Sequence, residues 1–165
     1  MEPQDRTDSH VARWLPVLPT LDPDVEGAVT RVKLLSRHLR RFKEKALADF
    51  DLQRHEFETL HALAGRHGRA VPSQLADDLN VAPPSVTARV DALVTRGYAR
   101  RTPSSADRRR VDIELTDEGH AAWLDAMDIL GHEEGRLLGV LTVAERRTLA
   151  DLLRRVMLAA EQPPS

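Results

Sequence analysis

The chain has no cysteine, few aromatic residues, no long apolar run and no excess of positive charge. Without cysteine there is no disulfide, no thiolate metal site and no thiol redox switch. Aromatics make up 4% of 165 residues, too few for the stacking platforms that hold single-stranded nucleic acid. No apolar stretch approaches the length of a membrane span, so no membrane partner is expected. The first residues, Met1-Glu-Pro-Gln-Asp, are acidic with no apolar run behind them, which argues against a secretory signal. The expected compartment is the cytoplasm. A phosphate-cradling glycine loop, a nucleophile elbow and a His-Glu-x-x-His helix are also missing. His55, Glu58 and His61 fall at i, i+3 and i+6, but on a helix the two histidines diverge by about 120° and cannot share one ion. No catalytic residue, metal or cofactor is expected, and the chain does not read as an enzyme.

What is present is a soluble composition, 41% hydrophobic and 30% charged, long enough for one domain with terminal elements and a genuine core. The net charge of −2 hides an uneven distribution. Between residues 96 and 110 six arginines face a single acid, Asp107, giving +5 in fifteen residues and leaving −7 for the rest. A basic patch on an acidic body attracts a polyanion at one surface and repels it elsewhere. At the heart of this segment, Arg108, Arg109 and Arg110 run into Val111-Asp-Ile-Glu-Leu115, an alternation suited to a strand. Val111, Ile113 and Leu115 are expected on the inner face and Asp112 and Glu114 on the outer. The arginines then sit at a hairpin tip, placed to reach a nucleic-acid backbone or minor groove. Ser104 and Ser105 lie in the same loop.

Periodicity predicts a short helix over 8–18, limited by Pro16 and Pro19, then a linker. A long amphipathic helix follows to residue 50, its stripe made of Val25, Val29, Val32, Leu35, Leu39, Phe42, Ala46 and Phe50, its polar face rich in Arg and Lys. A helix over 51–67 turns Phe57, Leu60 and Leu63 inward. Ser73 is the expected cap of a helix over 74–79, and Asn80-Val-Ala82 a tight turn. Pro83 and Pro84 open a helix that Gly97 closes. Strands over 98–101 and 110–115 form the hairpin, Thr116 caps a helix to about residue 139, and Thr142 with Glu145 forms a capping box for a last helix. This order is a mainly α winged helix-turn-helix with a two-stranded wing and long terminal helices. The expected organisation is an N-terminal extension over 1–21, dimerisation helices over 22–50 and 116–160, and a DNA-binding lobe over 51–115. The terminal helices carry more apolar surface than one small domain covers, which points to a homodimer.

On the helix after the turn, Val86, Val90 and Leu93 share one side. Pro84, Ala88 and Asp91 lie opposite, with Ser85 and Thr87 on the shoulders, giving the small polar surface that a major groove admits. Backbone amides at the helix start offer a phosphate site. The expected DNA-contacting set is therefore Ser73, Pro84, Ser85, Thr87, Ala88, Asp91, Ser104, Ser105, Arg108, Arg109 and Arg110. The competing readings are an ordinary enzyme surface helix, or a winged-helix module that binds protein rather than DNA.

Gln74-Leu-Ala-x-x-Leu-x-Val81, Val86-Thr-x-Arg-Val-x-x-Leu93, Gly97-Tyr-x-Arg-Arg101 and Asp107-x-Arg-x-x-x-x-x-Leu-Thr-x-x-Gly119 together resemble the MarR family of transcriptional regulators. The resemblance spans about residues 25–160. It implies a homodimer on double-stranded DNA, with Arg109 in the minor groove and Asp107 supporting it through a charge-assisted hydrogen bond. A tryptophan on an added N-terminal helix is similar to a urate-responsive subgroup of that family. By motif position this resemblance implies a site for an anionic effector, urate or another organic acid, at Trp14, Glu58 and Arg89 with Arg100 nearby. Glu58 and Thr87 depart from the subgroup's Asp and Ser. The plainer reading of these residues is that Trp14 packs the extension and Glu58 and Arg89 form a structural ion pair.

Overall fold

Asp5 and Asp22 each cap a helix, and between them they define the N-terminal part of the protein. The computed structural model describes residues 4–103 and 111–162 and divides into two units, Met1–Arg54 and His55–Ser165. In the first unit, α1 (Arg6–Trp14) starts with a reciprocal box in which the Asp5 and Asp8 carboxylates accept each other's backbone N–H. The helix is shorter than the expected 8–18 and begins earlier. The acidic cap fixes its start, and Pro16 and Pro19 fall in turns beyond its end. The 27-residue α2 (Pro23–Asp49) begins with proline in its first turn, while Asp22 accepts from the amides of Asp24 and Val25. Arg31 of α2 holds α1 through Asp5 at 2.9 Å and Asp8 at 2.6 Å, and His10 meets Glu26 at 2.8 Å. Ala46 and Leu47 are buried, but Val25, Val29, Val32 and Leu35 of the expected stripe stay exposed.

The second unit opens with α3 (Arg54–Gly65). This helix starts later than expected because Asp51, with φ at 54°, breaks the backbone after α2. A two-residue strand, β1 (Arg69–Ala70), precedes α4 (Pro72–Leu79). Ser73 does not cap α4: Pro72 already fills the first helical position, and the Gln74 side-chain Oε1 accepts from the Val71 amide at 3.1 Å. Asn80 closes the helix in the left-handed conformation, and α5 (Pro83–Thr95) follows after three residues. Strands β2 (Ala99–Pro103) and β3 (Val111–Leu115) form the hairpin, and β1 adds a third strand in the order β1-β3-β2. All pairs are antiparallel, with Arg101 opposite Ile113 and Ala70 also opposite Ile113. The core of this unit contains Phe57, Leu60, Leu63, Leu75, Val86, Val90, Leu93, Ala99 and Ile113.

The strand alternation failed at one end of β3. Asp112 is 7% exposed and Val111 44%, the reverse of the expected faces. Arg69, brought in by β1, covers Asp112 at 2.9 Å and Glu114 at 3.0 Å, so an ion pair occupies the place reserved for apolar contact.

Thr116 links sheet and helix. Its hydroxyl donates to the Gly97 carbonyl at 2.7 Å and accepts the Gly119 amide at 3.0 Å, capping α6 (Asp117–Leu138). The last helix, α7 (Val143–Glu161), starts with the expected Thr142–Glu145 box and buries none of its residues. Among the described residues no helix is long and apolar enough to cross a membrane.

Candidate nucleic-acid interface

The helix pair α4–α5 is built from the inside. Leu75 and Ala76 of α4 and Val86, Val90 and Leu93 of α5 are buried, which orients everything else on α5. Pro84, Ser85, Thr87, Ala88 and Asp91 are exposed, as the periodicity predicted, and Ser73 is exposed on α4. The start of α5 differs from the expectation in one respect. Proline at both Pro83 and Pro84 removes two amide donors, and the Ser85 amide donates to the Ala82 carbonyl at 2.9 Å. What α5 offers a nucleic acid near its start is therefore hydroxyls, not a cradle of amides.

Asp91 has a role that its sequence position did not reveal. Its carboxylate accepts from the Arg101 guanidinium at 2.7 Å, tying the exposed side of α5 to strand β2. Arg101 stands opposite Ile113 in the hairpin and is exposed. The base of α5 is fixed separately: Arg96 reaches the buried Glu56 of α3 at 3.0 Å and lies over the Tyr98 ring at 5.0 Å. Arg66, in the turn after α3, grips Asp78 of α4 with two guanidinium nitrogens, the longer contact at 2.9 Å, and holds the Asp78 carboxyl below its usual range. Arg96 and Arg101 count in the basic segment of the sequence, but the sequence gave neither of them, nor Arg69, these partners. The signal available was an unusual density of arginine and carboxylate in elements too short to bury apolar surface.

Arg89 of α5 and Glu58 of α3 meet at 3.2 Å with both side chains mostly buried, so the structure brings this pair together. Arg100 is placed elsewhere. It lies opposite Glu114 in the hairpin and contacts it at 2.9 Å. The Arg100 hydrogen bond is the main cause that holds the Glu114 carboxyl below the ordinary carboxylate range. Trp14 belongs to the N-terminal unit, on α1, where its ring is tilted against His10 at 6.3 Å. Ser104, Ser105, Asp107, Arg108, Arg109 and Arg110 lie outside the described residues.

His61 on α3 has ordinary partners. His61 accepts from the Trp123 indole at 3.2 Å through Nδ1 and stacks on Phe57 at 5.8 Å. Among the described residues no group of three or more His, Asp or Glu side chains is placed to hold a metal.

A short helix, a left-handed turn, a second helix with a polar outer face and a sheet leading into a cationic loop define a winged helix-turn-helix of the kind that reads DNA. The model of the MarR family matches residues 50–110. The transcriptional regulator PecS of Dickeya dadantii is 33% identical over 151 residues, covering 88% of this chain and 89% of its own length. The transcriptional repressor NicR of Pseudomonas putida is 33% identical over 126 residues, covering 76% of this chain and 78% of its own. The solved structure of YusO from Bacillus subtilis superposes with a TM-score of 0.70 at 23% identity, over 85% of this chain and 99% of the other. The chain belongs to the MarR family of transcriptional regulators, and is not an enzyme.

Proposed function

We propose that this regulator is a cytoplasmic repressor that binds a pseudo-palindromic operator as a homodimer and leaves it when a small organic anion binds. The observation that carries the DNA reading is the outer face of α5. Ser85, Thr87 and Ala88 are exposed on a helix whose inner side is locked by Val86, Val90 and Leu93. Small polar groups there fit against base edges, and the wing arginines Arg108, Arg109 and Arg110 supply backbone or minor-groove contacts. NicR, a relative, is a repressor by name. The homodimer rests on α2 and α7, whose apolar stripes are exposed in the single chain; helices 22–50 and 116–160 are the natural place for the second copy. A gel shift with the protein's own upstream DNA at moderate salt tests the reading. Specific binding to half-sites about ten base pairs apart is expected; binding with no sequence preference overturns it.

The effector site is assigned to Glu58 and Arg89. An anion, urate or another organic acid, competes with the Glu58 carboxylate for the Arg89 guanidinium. Because Arg89 is on α5, a change of its partner alters the equilibrium between helix positions by the anion's differential affinity for the two. Thermal melting with candidate anions is expected to show stabilisation that Arg89→Ala removes. Stabilisation that survives Arg89→Ala overturns this site and leaves the DNA reading intact.

A further inference from the structure

The largest concentration of positive charge in the described chain is not in the helix-turn-helix but on α2. Residues 31–45 hold seven Arg or Lys against one acid, Glu44, which is +6 in fifteen residues. With +5 between residues 96 and 110, the rest of a chain of net −2 carries −13. Arg31 is neutralised by Asp5 and Asp8. Lys33, Arg37, Arg40 and Arg41 are all exposed. Among the described residues no hydrogen bond or ion pair within 4 Å holds any of these four. At about 100° per residue they fall within an arc of about 100°, centred about 125° from the apolar stripe of Val25, Val29, Val32, Leu35 and Leu39, with Arg40 at its near edge. They span about 12 Å along the axis, comparable with the width of a major groove. Glu44 is the one acid between residues 31 and 45.

We infer that Lys33, Arg37, Arg40 and Arg41 form a second, sequence-independent contact surface for the phosphate backbone of double-stranded DNA, separate from the base-reading helix α5. Four like charges held together on a rigid helix repel one another, and Glu26, which attracts Lys33 without forming an ion pair with it, offsets that cost in part. A polyanion offsets the rest, by exchanging its condensed counterions for fixed ammonium and guanidinium groups. A second copy seated on the apolar stripe leaves Arg37 and Arg41 open, because they lie about 140–180° round the helix from it. The same two residues disfavour an anionic membrane: a helix lying on a bilayer by its apolar stripe needs its cations on the flanks, at headgroup level, whereas Arg37 and Arg41 would point into water. The inference rests on DNA being the partner, but not on operator specificity.

The test is binding to a labelled duplex of random sequence and, separately, to the operator, by fluorescence anisotropy between about 50 and 200 mM salt. The variant carries Lys33→Gln, Arg37→Gln, Arg40→Gln and Arg41→Gln together; glutamine is a good helix former, and circular dichroism checks that the fold and melting are kept. The variant is expected to bind the random duplex about tenfold or more weakly, with the salt slope shallower by up to about 3.6, 0.9 for each phosphate lost. Lys33→Arg with the three arginines changed to lysine is expected to keep the wild-type slope. A folded glutamine variant with unchanged affinity and slope on both duplexes overturns the inference while leaving operator recognition standing. Random-duplex binding that drops in the variant, without any operator preference in the wild type, supports the inference and overturns the repressor reading. Stronger charge-dependent sedimentation with phosphatidylserine vesicles than binding to DNA overturns the choice of partner.

Discussion

At Gly119 a β-carbon would stand 2.0 Å from the carbonyl oxygen of Tyr98 and 2.8 Å from its carbon. The first turn of α6 is pressed onto the backbone that enters the wing, and only hydrogen fits between them. Gly119→Ala is therefore expected to lower stability by about 1–3 kcal/mol, the cost of overpacking against backbone, read as a reduced urea midpoint with unchanged slope. The motif Leu115-Thr-x-x-Gly119 was legible as a signature, and its reason is now physical: Thr116 bonds both sides of the junction and Gly119 lets them touch. Single ion pairs also set the acid response. Arg100 beside Glu114, and Arg66 beside Asp78, hold those carboxyls below their usual values. The unfolded chain takes up these protons first as pH falls, so their contribution is complete above about pH 4.5 and is lost below it. Melting temperature is expected to fall through that range, and to fall less steeply in Arg100→Gln and Arg66→Gln.

Between elements, the contact that matters most is Asp91 with Arg101, one helix residue and one strand residue holding α5 and β2 together. The helical pattern placed Asp91 on the outer face and so among the base readers; it could not show that a strand arginine would reach it. The two roles predict different outcomes. If Asp91 acts as a strut, Asp91→Asn and Arg101→Gln each weaken operator binding by a similar factor, about tenfold, and the double variant is no worse than either. A change of base preference in Asp91→Asn, absent from Arg101→Gln, restores it as a reader. Leu93→Ala, which empties a fully buried position under α5, is expected to cost about 2–5 kcal/mol and is checked by urea unfolding. Helix periodicity worked for α5 because its partner elements cover one side only. Alternation failed for β3 because Arg69, on the short extended piece before α4, pairs with Asp112 and covers it, a contact that the alternation within β3 does not encode.

For the whole molecule, exposed apolar surface and charge decide how copies and partners meet. Leu152, Leu153, Val156 and Met157 are exposed along α7, and Val25, Val29, Val32 and Leu35 along α2, far more than scattered surface residues provide. Val156→Glu with Met157→Glu is expected to halve the mass seen by light scattering and to weaken binding to a two-half-site operator far more than to a single half-site. Mass unchanged in the variant places the second copy elsewhere. The sequence by itself determined the order of the helices and hairpin, the buried side of α5, the caps at Thr116 and Thr142, and the family. Each depends on neighbours within a few residues, where propensity, proline and side-chain caps act. Only the tertiary structure decided that Arg100 meets Glu114 and not the effector pair, that Asp91 braces the wing strand, and that Arg69 covers Asp112. Those outcomes depend on which long, flexible charged side chains the packed backbone brings within reach, and contacts of that kind, separated by tens of residues, leave no period in the chain.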